Sequence, residues 1–308
     1  MESQIQNQSK KRPHIWAIGG GKGGVGKSVV SILLALGLAQ HNQNTVLVDA
    51  DLGAANLHTL MGIKSPNRNL NDLVSQKYDS IEDICVQTPI SNLRLVCGAS
   101  EILSYANPQF SQKSKIVQSI AHMKADHVIM DLGAGTSYNV LDFFLVADKP
   151  VVVLTPQPIS IQNAYAFIRN AVYRKLSRMA HKHPSLQELV RMAMNPKNED
   201  QIRTIANLHE TIRNSHGEKA AERLMETVQK IRPILITNMA KEQRDGNAGR
   251  IIQVVSEKYL TVHCQGVAAI PYDPLVEKLI AQMLPIAALP KTSRALANAA
   301  AIAKKLIS

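Results

Sequence analysis

Residues Gly21-Lys22-Gly23-Gly24-Val25-Gly26-Lys27-Ser28-Val29 crowd glycines, two lysines and a hydroxyl into one short stretch. Glycines at this density let the backbone turn tightly, so that its N–H groups and the positive end of a following helix converge on phosphate oxygens. Lys27 then neutralises charge on the terminal phosphates of a nucleoside triphosphate, and the Ser28 hydroxyl is a ligand for Mg2+. One lysine suffices for that chemistry. Lys22 is a second cation beside the first and needs a partner of its own.

Two further segments offer carboxylates suited to the same reaction. The apolar run Thr45 to Val48 leads into Asp49-Ala50-Asp51-Leu52-Gly53, and residues two apart on a strand share a face. Asp49 is expected to hold a water on Mg2+, and Asp51 to orient or deprotonate the water attacking the terminal phosphate. The run His127 to Met130 leads likewise into Asp131-Leu132-Gly133-Ala134-Gly135. Asp131 should reach Mg2+ through water, and Gly133 admits the backbone to the γ-phosphate. Farther on, Asn238 ends an apolar run with an amide that can pair with adenine through one donor and one acceptor. Pro271 and Tyr272, in Ile270-Pro271-Tyr272-Asp273-Pro274, could fix a loop against the base.

The elements that must carry these residues are legible as an alternating pattern. Ile15 to Ile18 reads as a buried strand and Val29 to Ala39 as a buried helix, the order a phosphate loop requires. Short apolar runs recur at Thr45–Val48, Leu93–Val96, His127–Met130, Val151–Leu154, Pro233–Ile236 and Gly266–Ile270, with helical stretches between them. This is an α/β pattern: a mostly parallel β-sheet flanked by helices on both faces, with ligands at the carboxyl ends of the strands. Residues 176–232 break the rhythm with apolar positions at helical spacing and no strand, predicting a helical insertion of two or three helices. The organisation expected is a polar tail over residues 1–13 and one domain over 14–308, ending in a C-terminal helix over about 292–308.

Composition sets the outer limits. The chain has 308 residues, 45% of them hydrophobic, enough for one large core. Thirty-five Lys+Arg against 24 Asp+Glu give a formal charge of +11, which favours contact with nonspecific DNA or an anionic membrane. The basic residues are dispersed and the aromatics few, so no base-stacking platform is indicated. Three widely spaced cysteines suggest neither a disulfide framework nor a metal knuckle. With no apolar run of membrane-spanning length and no signal core, a cytoplasmic setting is expected.

The loop with its extra lysine resembles the deviant Walker A motif of the MinD/ParA ATPases. That resemblance implies that Lys22 reaches the phosphates of the ATP held by a facing subunit, so that ATP and Mg2+ close a homodimer and hydrolysis to ADP and phosphate reopens it. Within the family the chain looks most like the FlhG (FleN, YlxH) group, which sets flagellar number and position. The residues carrying this are Asp49 to Leu57, Asp131 to Gly135, Thr155-Pro156-Gln157-Pro158, Asn163-Ala164-Tyr165-Ala166 and Ile270 to Pro274. Gln157 and Asn163 stand where the family has a glutamate and an aspartate, and the N-terminus lacks the family's Asp-Gln-Ala-type motif. Relatives that carry iron–sulfur clusters need a cysteine pair. No Cys-x-x-Cys occurs here, and no cluster is expected.

The function this implies is a positioning switch acting on a flagellum or another polar cargo, peripheral at the inner membrane face or cell pole, through a protein partner docked on the insertion. A DNA-bound partition ATPase is the alternative. Leu296, Ile302, Leu306 and Ile307 with Lys304-Lys305 are the residues through which a terminal helix would dock on membrane, whereas the surrounding alanines favour packing on the core.

Overall fold

The computed structural model describes residues 12–64, 66–98, 110–195 and 202–307. Eight strands form one sheet in the order β3-β4-β2-β5-β1-β6-β7-β8. They are β1 (His14–Gly19), β2 (Thr45–Ala50), β3 (Cys85–Gln87), β4 (Leu93–Val96), β5 (His127–Leu132), β6 (Lys149–Leu154), β7 (Ile234–Ala240) and β8 (Gly266–Pro271). All neighbours pair in parallel except β3, which runs antiparallel to β4 at one edge. The expected mostly parallel α/β sheet is therefore present. β3 was not foreseen, because three residues with Cys85 and Val86 as their apolar members carry too short a pattern to read.

The helices are α1 (Lys27–Gln40), α2 (Leu57–Leu60), α3 (Leu70–Val74), α4 (Phe110–Ala121), α5 (Tyr138–Val146), α6 (Pro158–Ala180), α7 (Pro184–Met194), α8 (Ile205–His216), α9 (Glu218–Gln229), α10 (Asn247–Leu260), α11 (Pro274–Ala281) and α12 (Arg294–Ile307). The period of two within each strand splits the core cleanly. Ile15 and Ala17 of β1 join Val46, Val128 and Val152 on the face covered by α4, α5, α6 and α10. Trp16 and Ile18 join Leu47, Ile129, Val151 and Ile234 on the face covered by α1 and α12. Central strands are thus apolar on both sides, which is why they read as unbroken apolar runs.

Two features of the second half follow from side-chain size. The alanines of α12 pack against α1, where a Cβ on Gly37 would stand 2.7 Å from the Ala300 Cα, so only small residues allow this approach. Leu296 is buried there, and Ile302, Leu306 and Ile307 pack against the same cluster. The apolar side of the terminal helix thus belongs to the core. In the segment after α6, the helices α7, α8 and α9 bury Leu186, Val190, Leu208, Ile212, Leu224 and Val228 in the core of the first face. Among the described residues no helix is long and apolar enough to cross a membrane.

Candidate nucleotide-binding site

The glycine loop leaves the carboxyl end of β1, near the middle of the sheet, and hands over to α1. Gly24 and Gly26 both have φ of 83°, a backbone region that costs a side chain strain. Gly26 has a second requirement: a Cβ there would lie 2.3 Å from Asn238 Nδ2. That amide nitrogen donates to the Val25 carbonyl at 3.0 Å, in a buried setting. Asn238, at the carboxyl end of β7, therefore braces the loop from behind. At the loop's start a Cβ on Gly21 would meet the Asn163 carbonyl at 2.2 Å, so α6 and the loop are in contact.

The two lysines occupy different environments. Lys27 is buried; burial pulls its pKa below the usual lysine value, while the charges of Asp131 and Asp51 pull it back up. Lys22, Gly23 and Gly24 are exposed. Val25 is buried and Ser28 and Val29 are half-buried.

β2 and β5 each extend one residue or more past the expected end, which puts Asp49 and Asp131 inside the sheet as register neighbours. They share the parity of Leu47 and Ile129, so both point toward α1. Asp49 accepts from the Leu57 amide at 3.0 Å and the Asp51 amide at 3.3 Å. Asp131 accepts from the Ser31 hydroxyl at 2.9 Å and is also hydrogen-bonded by Ser28. Both carboxyls are raised above the normal range, first by burial and further by neighbouring acidic charge. Two desolvated carboxylates side by side are a place where a cation is favourable. The oxygen donors Ser28, Asp49 and Asp131 fit hard Mg2+, held chiefly by phosphate and water. No cluster of three or more His, Cys, Asp or Glu side chains that could hold a metal ion by themselves occurs among the described residues.

Asp51 lies beyond the strand, its Oδ1 accepting from Gly53 and Ala54 amides at 3.3 and 3.2 Å. It faces the segment after β5, where a Cβ on Gly133 would be 3.0 Å from Asp51 Oδ1. The structure thus brings Lys27, Ser28, Asp49, Asp51 and Asp131 together around one loop. Tyr272 and Pro271 sit at the end of the edge strand β8. The Tyr272 hydroxyl donates to Glu277 and its ring lies under Lys241 at 5.2 Å. Ser31 was missed at the sequence level; its signal was a second hydroxyl one helical turn after Ser28, on the side facing Asp131.

Of the three cysteines, Cys97 follows β4 and lies close enough to Asp49 to feel its charge. Cys97 is buried and Cys85 and Cys264 are half-buried, all as free thiols. Burial pushes the Cys85 and Cys97 thiols up to about 12.

Comparison with known proteins agrees with this geometry. The ParA family model, described as NUBPL iron-transfer P-loop NTPase, matches residues 11–179. The antiactivator FleN of Pseudomonas aeruginosa is 34% identical over 174 residues, covering 54% of this chain and 61% of FleN. The flagellum site-determining protein YlxH of Helicobacter pylori is 36% identical over 160 residues, covering 50% of this chain and 52% of YlxH. The chain thus spans a little over half the length of these curated relatives. Among solved structures, the cell division ATPase MinD of Pyrococcus furiosus superposes with a TM-score of 0.63 at 17% identity, over 96% of this chain and 98% of that one. MinD of Pyrococcus horikoshii, complexed with Mg-ADP, gives 0.63 at 18% identity over 96% of each. With the loop, the paired carboxylates and the sheet order in place, the chain belongs to the ParA/MinD family of P-loop NTPases.

Proposed function

We propose that the protein is an ATP-dependent, dimerising switch that hydrolyses ATP to ADP and phosphate to control where a cellular structure is placed. The observation that carries this reading is the division between the two loop lysines. Lys27 is buried and already balanced by Asp131 and Asp51. Lys22 is exposed and has no ion-pair partner among the described residues, so its charge is available to a phosphate held by another protomer. ATP between two protomers would then report its own presence as dimerisation.

In this reading Lys27 and the loop amides hold the phosphates, and Ser28, Asp49 and Asp131 are the residues that would hold Mg2+. Magnesium, when bound with the nucleotide, would screen phosphate charge. Asp51 would orient or deprotonate the attacking water. Asn238, within reach of the loop, would pair with the base through its amide oxygen and the second of its two N–H groups, the first being given to the Val25 carbonyl. Pro271 and Tyr272 would border the base from β8. The names of FleN and YlxH, an antiactivator and a flagellum site-determining protein, support flagellar or polar cargo as the thing positioned. The setting proposed is cytoplasmic, peripheral at a membrane face or pole, with a protein partner.

Sedimentation of the protein with Mg-ATP and with Mg-ADP tests the switch: dimer with the first and monomer with the second is expected, and a monomer in both would end this reading. Co-sedimentation with anionic liposomes and with duplex DNA in the same two states separates the positioning role from the DNA-bound partition alternative.

A further inference from the structure

A groove of about 1010 Å3 runs between α5, α6 and α7, on the face of the sheet opposite α1. Two of its lining cations, Arg174 and Arg178, share with Lys113 a single carboxylate behind the wall. Asp142 of α5 is approached by Lys113 at 2.8 Å, by Arg174 at 2.8 Å and by Arg178 at 3.6 Å. One carboxylate thus faces three cations, and two positive charges are left over. The Arg174 fork already takes both carboxylate oxygens. Arg178, whose side chain is 49% exposed, holds only the longest of the three contacts. The remaining charged pair on the wall, Arg191 with Glu188, is neutral in sum.

Apolar surface lies beside this charge. Tyr138 is 65% exposed although its ring stacks under Arg174 at 4.2 Å, and Met194 at the far end of the groove is 36% exposed. The walls are fixed. Arg169 of α6 donates to the Met194 carbonyl at 2.9 Å, and Leu186, Val190 and Ala193 anchor α7 in the core. A groove with arginines in its wall and an aromatic and a thioether beside them combines the two features by which acidic, partly apolar peptides are recognised.

We propose that this groove docks an acidic segment of a protein partner, with carboxylates on Arg174 and Arg178 and an apolar side chain against Tyr138 and Met194. Duplex DNA is the poorer fit. Its phosphates are best met by a run of free cations on a surface the duplex can lie along, whereas here Arg174 is held against Asp142 with its side chain 22% exposed, and Glu188 lines the same groove. The inference gives the switch proposed above a partner of defined chemistry, yet it stands on the groove alone. Its test therefore uses nucleotide-free protein, so that absence of ATP hydrolysis or dimerisation would leave it intact.

The experiment is fluorescence anisotropy on the full chain with three labelled probes: a peptide alternating glutamate with leucine and phenylalanine, the same peptide with lysine for glutamate, and a short DNA duplex. The acidic peptide should bind and the basic one should not. Arg178→Glu should weaken acidic-peptide binding tenfold or more and Tyr138→Ala several-fold. Both side chains are well exposed, and unchanged thermal unfolding of the variants checks that they fold. Amide exchange in 138–146 and 184–194 should slow when the peptide is bound. Acidic-peptide affinity unmoved by both substitutions, no protection of those segments, or DNA binding that exceeds peptide binding and is lost in Arg178→Glu would each overturn the proposal.

Discussion

Alanine substitution along the phosphate loop should give a graded series whose order follows from geometry. Gly23 has no atom within 4 Å of a built Cβ and no positive φ, Gly24 has φ of 83° with open space, and Gly26 has φ of 83° and a Cβ only 2.3 Å from Asn238 Nδ2. Forcing a left-handed conformation on alanine costs about 1–2 kcal/mol. At Gly26 the Asn238 amide must also move off the Val25 carbonyl, and an unsatisfied buried polar group adds about 1–3 kcal/mol. Gly26→Ala should therefore lose about 2–5 kcal/mol and Gly24→Ala about 1–2 kcal/mol. Gly23→Ala should be neutral or stabilising by up to about 1 kcal/mol, since alanine restricts the unfolded chain. Urea unfolding without nucleotide, followed by circular dichroism, reads these differences directly and excludes clashes with a ligand. Nucleotide affinity of the same variants should fall in the same order. The reasoning fails if Gly26→Ala is no more destabilising than Gly24→Ala, or if Gly23→Ala matches either.

Three other outcomes are expected. Lys27→Ala should weaken nucleotide binding, whereas Lys22→Ala should preserve most of it in the monomer and lose ATP-dependent dimerisation; isothermal titration and sedimentation distinguish the two, and equal loss of binding would refute the division of roles. Asp51→Ala should slow ATP hydrolysis by roughly 10²- to 10⁴-fold while leaving an ATP-loaded dimer, and near-normal phosphate release would remove Asp51 from the chemistry. His127 is buried, its Nδ1 accepts from Trp16 Nε1 at 3.1 Å, and burial with the nearby His14 charge lowers its pKa from 6.5 to about 4. A depressed folded-state pKa stabilises above the unfolded value and is lost as pH falls toward 4. The native protein should thus lose up to about 3 kcal/mol more than His127→Gln between pH 7 and pH 4, and identical pH slopes in denaturant unfolding would contradict this.

Much of the site was legible before folding because its signals are local. A phosphate loop is a run of consecutive residues whose glycines, lysines and hydroxyl must sit at fixed spacing, and Asp49, Asp51 and Asp131 each follow an apolar run. The helical character of the segment after α6 was equally local, being a matter of period. Other features depend on residues distant in sequence, and no spacing announces them. Asn238 reads as a strand-terminal amide until the fold sets its nitrogen against Val25, 213 positions away. Ser31 is one more small residue of a buried helix until β5 brings Asp131 to it. The alanines of α12 favoured packing on the core by composition, but which helix they meet is decided by the close approach to Gly37 of α1. The charge of +11 was known from composition, but not that three of its cations crowd one carboxylate beside an exposed tyrosine. Sequence alone determined the chemistry of the loop and the alternation of strands and helices, since both are written in near neighbours. Which side chains meet across the sheet, and which are left without a counter-charge, was decided only by tertiary packing, because burial and pairing are properties of the folded volume rather than of the chain's order.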